Sequence, residues 1–363
     1  MTIQQAVYKR GKTAGVYPSL TSRRDEAYVN FIEDARNILL HAQQPPIGAY
    51  SRQLLQTAGK SMSSDPRSTA EATELLMQDS VLRIYYRVKR SLQESFWTCI
   101  QDSFNKRKDA LLQALDTTDT LGPGTVNYNL DFPVPDYAKA EIHIQPGGYV
   151  NEPLSGLIYD YGIKVFMGGA ADNDQLHNMQ AESVSPPQDQ KVKRILDLGC
   201  SAGATTTALK RIYPDAEVWG IDISAPMVRY AHLRAAEQDI EAHFKQMPAE
   251  ELGFEDNHFD IVVANLLFHE VPVSISKKII AETLRVLRPG GCFTILDFPG
   301  DKTRDVYTMF FAEMDAVDNG EPFITEFVRS NIEELMDEGG FEILEYDASK
   351  CLLGGRVGIK PVN

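Results

Sequence analysis

From Val192 to the C-terminus, short apolar runs alternate with amphipathic stretches, and this alternation constrains the fold more than any other feature of the chain. Strands are expected at Val192–Leu198, Glu217–Ile221, His243–Gln246, Phe259–Ala264 and Cys292–Asp297. Helices are expected between them at Ala204–Tyr213, Ala225–Glu237 and Ser274–Leu287. A strand that returns to its sheet through a helix does so in parallel. Two more helices, Thr303–Val317 and Ile324–Glu338, precede the strands Glu342–Tyr346 and Arg356–Lys360, which are expected to pair as an edge. The pattern specifies an α/β fold: a doubly wound, mostly parallel sheet with helices on both faces.

Residues before 191 read differently. Tyr28, Phe31, Ile32, Ala35, Ile38 and Leu39 follow helical spacing, so a helix is expected over Arg23–Gln43, stopped by Pro45-Pro46. A short helix is expected at Ala49–Ala58, and residues 1–21 read as a loose arm. Ser68–Asp116 has no Gly or Pro and carries an apolar stripe that includes Tyr85, Phe96, Ile100 and Phe104. It reads as one long helix or two joined at a kink, opened by a Ser68/Glu71 capping box. Residues 121–150 look extended, Leu154–Phe166 helical, and 168–190 a loop or linker. Three regions follow: a helical cap or dimerisation region (1–130), a connecting segment and lid (131–190), and the alternating domain (191–363). The N-terminal helices are the expected place for a homodimer contact.

Charge narrows the range of partners. Residues 1–130 carry a net +3 and residues 131–363 a net −18. An acidic body repels phosphate backbones, so nucleic acid is not expected as a partner. No window has the ~18 apolar residues of a membrane helix, so membrane insertion is not expected, and the opening residues lack a signal-peptide core. Cytoplasm is the expected location. Cys99, Cys200, Cys292 and Cys351 have no Cys-x-x-Cys spacing and read as reduced thiols; no metal site is expected.

The chemistry is concentrated at the first crossover. Asp197-Leu198-Gly199-Cys200-Ser201-Ala202-Gly203 carries an apolar strand through a glycine turn into a helix. Ligands in open α/β sheets bind there, at the carboxyl ends of strands. Asp222 ends the next strand, 25 residues after Asp197, where a carboxylate can accept hydrogen bonds from ribose hydroxyls. A dinucleotide site wants Gly-x-Gly-x-x-Gly facing a pyrophosphate. Here an acid occupies the turn, which repels a pyrophosphate and suits an amino group. An NAD(P)-linked oxidoreductase is therefore the weaker enzymatic alternative, and a silent regulatory protein that binds the same ligand is another.

Residues ~191–300 resemble a class I S-adenosylmethionine-dependent methyltransferase, of the group that includes the ubiquinone/menaquinone C-methyltransferases. The resemblance rests on Asp197–Gly203, Asp222-Ile223, Pro248–Phe254, Phe259–Asn265 and Leu287–Gly291, in family order. It implies a Rossmann-like seven-stranded sheet and S-adenosyl-L-methionine as cofactor. It implies cofactor contacts at Asp197, Gly199, Cys200, Ser201, Gly203, Asp222, Ile223, Met247, Pro248, Ala249, Glu250, Asn265 and Leu266. The family usually has Gly where Ser201 stands and often Asp where Pro248 stands. The implied activity is methyl transfer to a small organic acceptor, with oxygen favoured over carbon, nitrogen and sulfur.

His269-Glu270, just after the fourth strand, are the expected catalytic pair, since a histidine there suits proton removal near neutrality. His143, Tyr149 and Tyr159 are the expected substrate and lid residues; aromatic faces suit a sulfonium.

Overall fold

The computed structural model describes residues 19–298, 304–346 and 354–362; most of the expected arm and Cys351 lie outside them. Among the described residues, eight strands form one sheet: β1 (Thr125–Asn127), β2 (Arg194–Leu198), β3 (Glu217–Asp222), β4 (His243–Gln246), β5 (Phe259–Asn265), β6 (Leu287–Asp297), β7 (Glu342–Leu344) and β8 (Gly354–Ile359). Their order is β1-β4-β3-β2-β5-β6-β8-β7. Neighbours from β1 to β6 run parallel, and β8 runs antiparallel to both β6 and β7. The expected closing pair is present. The eighth strand, against seven expected, is β1, which pairs Thr125 with His243 and covers the edge that β4 would otherwise present to solvent. Three residues are too short to show a strand period.

Alternate residues of the strands face opposite layers. Leu196, Val262 and Phe293 pack with Ile279, Ile280 and Phe327 on one side. Ile195, Val218 and Ile261 pack with Ala208 and Leu209 on the other. The period of two along a strand thus becomes a core on each face.

The helical region departs from expectation at its joints. Pro45-Pro46 do not stop the first helix. Arg23–Asn37 continues through a π-helical stretch, Ile38–Gln43, into Gln44–Thr57, whose first turn holds the prolines. Backbone N–H groups have no helical partner in a first turn, so proline costs little there. Ser68–Asp116 becomes Pro66–Leu76, Ser80–Asn105 and Lys108–Thr118. Asp65 caps the first of these, accepting from the Ser68 backbone N–H, and Asp79 caps the second, so the Ser68/Glu71 capping box is not formed. Residues 168–190 include a helix, Gln175–Glu182. Ile324–Glu338 is broken at Ser330, and Asn331 caps its second half.

The aromatic stripe packs inward. Phe96, Trp97, Ile100 and Phe104 meet Leu157, Ile158 and Tyr161 of Ser155–Phe166, which in turn meet Tyr230 and Leu233. A Cβ on Gly162 would lie 2.0 Å from the Trp97 ring, so only glycine permits this approach. Leu82, Tyr85 and Tyr86 pack on Val306 and Phe310 of the helix Val306–Asp318. The N-terminal helices therefore grip the sheet domain at two separate places.

Candidate active site

Three acids stand at the carboxyl ends of β2, β3 and β6, and those of the adjacent β2 and β3, Asp197 and Asp222, line the site. Asp197 of β2 is buried, and its Oδ2 accepts from the Thr206 hydroxyl at 2.6 Å. Its Oδ1 has no hydrogen-bond partner among the described residues. Burial, with only partial relief from Thr206, pushes its pKa up to about 7. Asp222 of β3 accepts from the backbone N–H groups of Ser224 (2.9 Å) and Ser201 (3.0 Å). Burial raises its pKa to about 6 against those bonds. Asp297 ends β6 and accepts from the Phe268 backbone N–H at 2.9 Å.

The turn between β2 and its helix is shaped by left-handed residues. Gly199 has φ 66°, and a Cβ there would lie 2.9 Å from Leu267. Ser201 adopts φ 41°, a conformation that usually favours glycine.

A cavity of about 730 Å³ opens over these strand ends. Asp197, Gly199, Cys200, Ser201, Asp222 and Ile223 line it, as do Met247, Ala249, Glu250, Asn265 and Leu266. His269, Glu270, His143, Tyr149 and Tyr159 line it as well. Gly203 and Pro248 are not part of its wall. The Cβ position of Gly203 faces Ala231 and Phe244, so this glycine serves helix packing beneath the turn. Pro248 forms a turn in which its carbonyl accepts from the Glu251 backbone N–H.

The far end of the cavity is built from paired side chains. His269 is buried, with Nδ1 2.8 Å from Asp297 Oδ1. Burial alone would lower its pKa, but Asp297 outweighs this and raises it to about 10. Asp297 thus favours the protonated ring, which differs from the proton acceptor expected at this position. Glu270 beside it forms no side-chain hydrogen bond among the described residues, and burial pushes its pKa up.

His143 is held more elaborately. Its φ is 57° and that of Ile144 is 51°, both strained for such residues. Its carbonyl accepts from Trp97 Nε1 (2.7 Å) and Gln93 Nε2 (2.8 Å), both from the helix Ser80–Asn105. Its Nδ1 lies 2.8 Å from the Tyr149 hydroxyl and its Nε2 2.8 Å from Glu321 Oε1. Burial lowers its pKa and Glu321 more than reverses this. Gln93 also bonds Asn319, two residues from Glu321, and accepts from Arg36 at 3.1 Å. Lys89 pairs with Asp315 at 2.7 Å on the same wall.

Several residues here carried no readable signal. Glu321, Asn319 and Gln93 lie in ordinary helical or loop sequence. Tyr137, whose hydroxyl donates to Glu250 at 2.5 Å, lies in the connecting segment. Asp297 did carry a signal: it is an acid at the end of an apolar strand, like Asp197 and Asp222.

Residues 195–291 match the family described as Methyltransferase domain. A demethylmenaquinone methyltransferase of Thermus thermophilus is 37% identical over 107 residues, 30% of this chain and 48% of that one. A ubiquinone/menaquinone biosynthesis C-methyltransferase of Stutzerimonas stutzeri is 30% identical over 191 residues, 46% of this chain and 73% of its own length. The chain thus spans about half the length of the Thermus relative. A SAM-dependent methyltransferase structure from Aquifex aeolicus has a TM-score of 0.39 at 20% identity, covering 55% of this chain and 97% of that one. Among the described residues, no helix is long and apolar enough to cross a membrane.

Proposed function

The chain belongs to the class I S-adenosylmethionine-dependent methyltransferases, and on that footing we propose that it methylates a small, hydroxyl-bearing organic acceptor, with oxygen as the receiving atom. What supports the reading is that one continuous cavity is lined at one end by Asp197, Gly199 and Asp222 and at the other by Glu270, His143 and His269.

The cofactor end fits its ligand. Asp197 Oδ1 is a buried acceptor without a partner, suited to an ammonium group. Each Asp222 oxygen accepts one backbone N–H and keeps a lone pair for a ribose hydroxyl. Met247, Ala249 and Glu250 flank the place for the base, and Tyr137 pins Glu250. Tyr149 and Tyr159, with ring centres 5.4 Å apart, offer aromatic faces to a cation. When bound, the cofactor supplies a methyl group on a cationic sulfur, open to in-line displacement.

The chain's part is placement, exclusion of water and removal of one proton. Glu321 is bonded to His143, Asp297 to His269, and Asp315 to Lys89. Glu270 is the carboxylate at this end with no bonded partner among the described residues. It takes the proton that the acceptor's hydroxyl loses, while His269 Nε2 donates to the acceptor's oxygen. A second reading is methylation of a carbon beside that hydroxyl; it is favoured by the similarity to C-methyltransferases such as that of Stutzerimonas stutzeri. It needs the same proton removed.

The test incubates the full chain with methyl-labelled cofactor and a panel of phenols, quinols and aliphatic alcohols, and locates the label by NMR. Label on oxygen supports the first reading, and label on ring carbon the second. S-adenosylhomocysteine binding without label on any acceptor supports a silent binder, and NADH binding without S-adenosylhomocysteine binding overturns the proposal.

A further inference from the structure

The acceptor end of the cavity brings together three side chains whose sequence positions carry no metal-ligand spacing. Ligand atoms of His143, Glu270 and Glu321 all lie within 4.8 Å of one another. We propose that these three residues hold a divalent first-row cation, of the manganese-to-zinc type, at the acceptor end of the cavity. The binding itself goes beyond the methyltransferase reading and does not depend on it.

Four observations carry the site. First, the donor set is suitable: two carboxylates and one imidazole match a borderline divalent ion, and their two negative charges match its two positive ones. Second, Glu321 is 3% exposed and lines the cavity, yet its Oε2 has no hydrogen-bond partner among the described residues. Its Oε1 is 2.8 Å from His143 Nε2, so the two donor atoms already face each other. Leaving such an oxygen buried without a partner is costly unless something binds it.

Third, His143 is built to present one nitrogen. Gln93 and Trp97 hold its carbonyl, and the left-handed backbone at His143 and Ile144 is maintained by those bonds. Its Nδ1 is engaged by Tyr149, leaving Nε2 for an ion. A ligating histidine characteristically has its other nitrogen oriented in this way. Fourth, the positions are independently fixed. Glu270 follows β5, Glu321 follows the helix Val306–Asp318, and His143 precedes the helix Ser155–Phe166, so three separate segments converge.

Ligand atoms about 2.1 Å from an ion lie about 3–4 Å from one another. The widest separation, at most 4.8 Å, therefore closes by about 1–2 Å, and Glu270 can move because it has no side-chain bond to break. The ion replaces the hydrogen now between His143 Nε2 and Glu321 Oε1, and that proton leaves to solvent. Three protein ligands leave coordination positions open toward the cavity, as in catalytic rather than structural sites. If the hydroxyl-acceptor reading holds, an acceptor oxygen takes one of these positions. The ion would then lower the pKa of that hydroxyl so that its proton passes to solvent water, where the metal-free site relies on Glu270.

The test uses the full chain stripped with EDTA and titrated calorimetrically with Mn²⁺ and separately with Zn²⁺. The expected result is one site per chain for at least one of the two. Glu321→Gln and Glu270→Gln each weaken it by about 100-fold or more, and Tyr149→Phe by about tenfold. S-adenosylhomocysteine affinity of the two glutamate variants, measured on the same samples, stays within threefold, which shows that they are folded and keeps the cofactor reading separate. If Glu321→Gln fails to fold, half-buried Glu270 carries the test alone. No saturable binding of either ion to the wild-type chain overturns the proposal, as does a site of unchanged affinity in Glu270→Gln.

Discussion

The two ends of the cavity are built by opposite means. At the cofactor end, acids on adjacent strands are satisfied by local groups: Asp222 by the backbone N–H groups of Ser201 and Ser224, Asp197 by Thr206. At the acceptor end, side chains from distant segments hold each other. Gln93 bonds Asn319 across 226 residues of sequence, and Lys89 bonds Asp315 over the same separation. A crossover turn fixes the first end wherever the sheet forms. The second end exists only once the N-terminal helices have docked. This difference predicts that cofactor binding and acceptor chemistry can be broken separately.

The largest separation is expected for Glu270→Gln. Loss of a proton acceptor costs about 10²–10⁴ in turnover, while S-adenosylhomocysteine binding, measured by calorimetry, stays within threefold. Equal losses in both would mean that the two ends are one unit. The converse variant is Asp222→Ala, expected to weaken S-adenosylhomocysteine binding by about 1–3 kcal/mol, the scale for a lost buried hydrogen-bonding partner. The KM of the acceptor at saturating cofactor should not follow. Unchanged cofactor affinity in a folded variant would remove Asp222 from the ribose assignment.

Asp197 sharpens the comparison through pH. Its pKa in the fold is about 7, well above an ordinary aspartate. Between about pH 4 and 7 the folded chain holds a proton that the unfolded chain has lost, so this group's contribution to stability falls as pH rises through that window. Cofactor affinity should move the other way, because an ammonium needs the ionised carboxylate. It should tighten by up to about tenfold per pH unit below 7 and level off above. Asp222, with its pKa near 6, titrates lower, so the upper part of the slope belongs to Asp197. Asp197→Asn should flatten it, and an unaltered slope in that variant would assign the titration elsewhere.

The same difference explains what was legible in the sequence. Asp197, Gly199 and Asp222 sit at strand ends that the apolar runs announce, so their convergence follows from topology. Asp297 was equally announced, by the strand that ends on it, but nothing in the sequence tied it to His269. Glu321 and Gln93 were not announced at all. Their partners are set by how the helices Ser80–Asn105 and Val306–Asp318 pack, and no local spacing encodes that. Pro45-Pro46 misled for a related reason: proline ends a helix from inside but starts one at its first turn, and the surrounding residues do not distinguish the two.

The smallest effect tests how far the cofactor end is backbone alone. Ser201 holds φ 41°, and the left-handed region costs a non-glycine residue about 1–2 kcal/mol. Ser201→Gly removes that cost but adds about 0.5–1 kcal/mol of unfolded-state freedom. The net expectation is a stability gain of about 1 kcal/mol or less, read by thermal or urea denaturation. The N–H that bonds Asp222 is kept, so S-adenosylhomocysteine affinity should change by less than about threefold. A tenfold loss of cofactor affinity would mean that the Ser201 hydroxyl itself touches the ligand. The cofactor end would then rely, like the acceptor end, on a side chain the fold must place, and the contrast between the two would narrow.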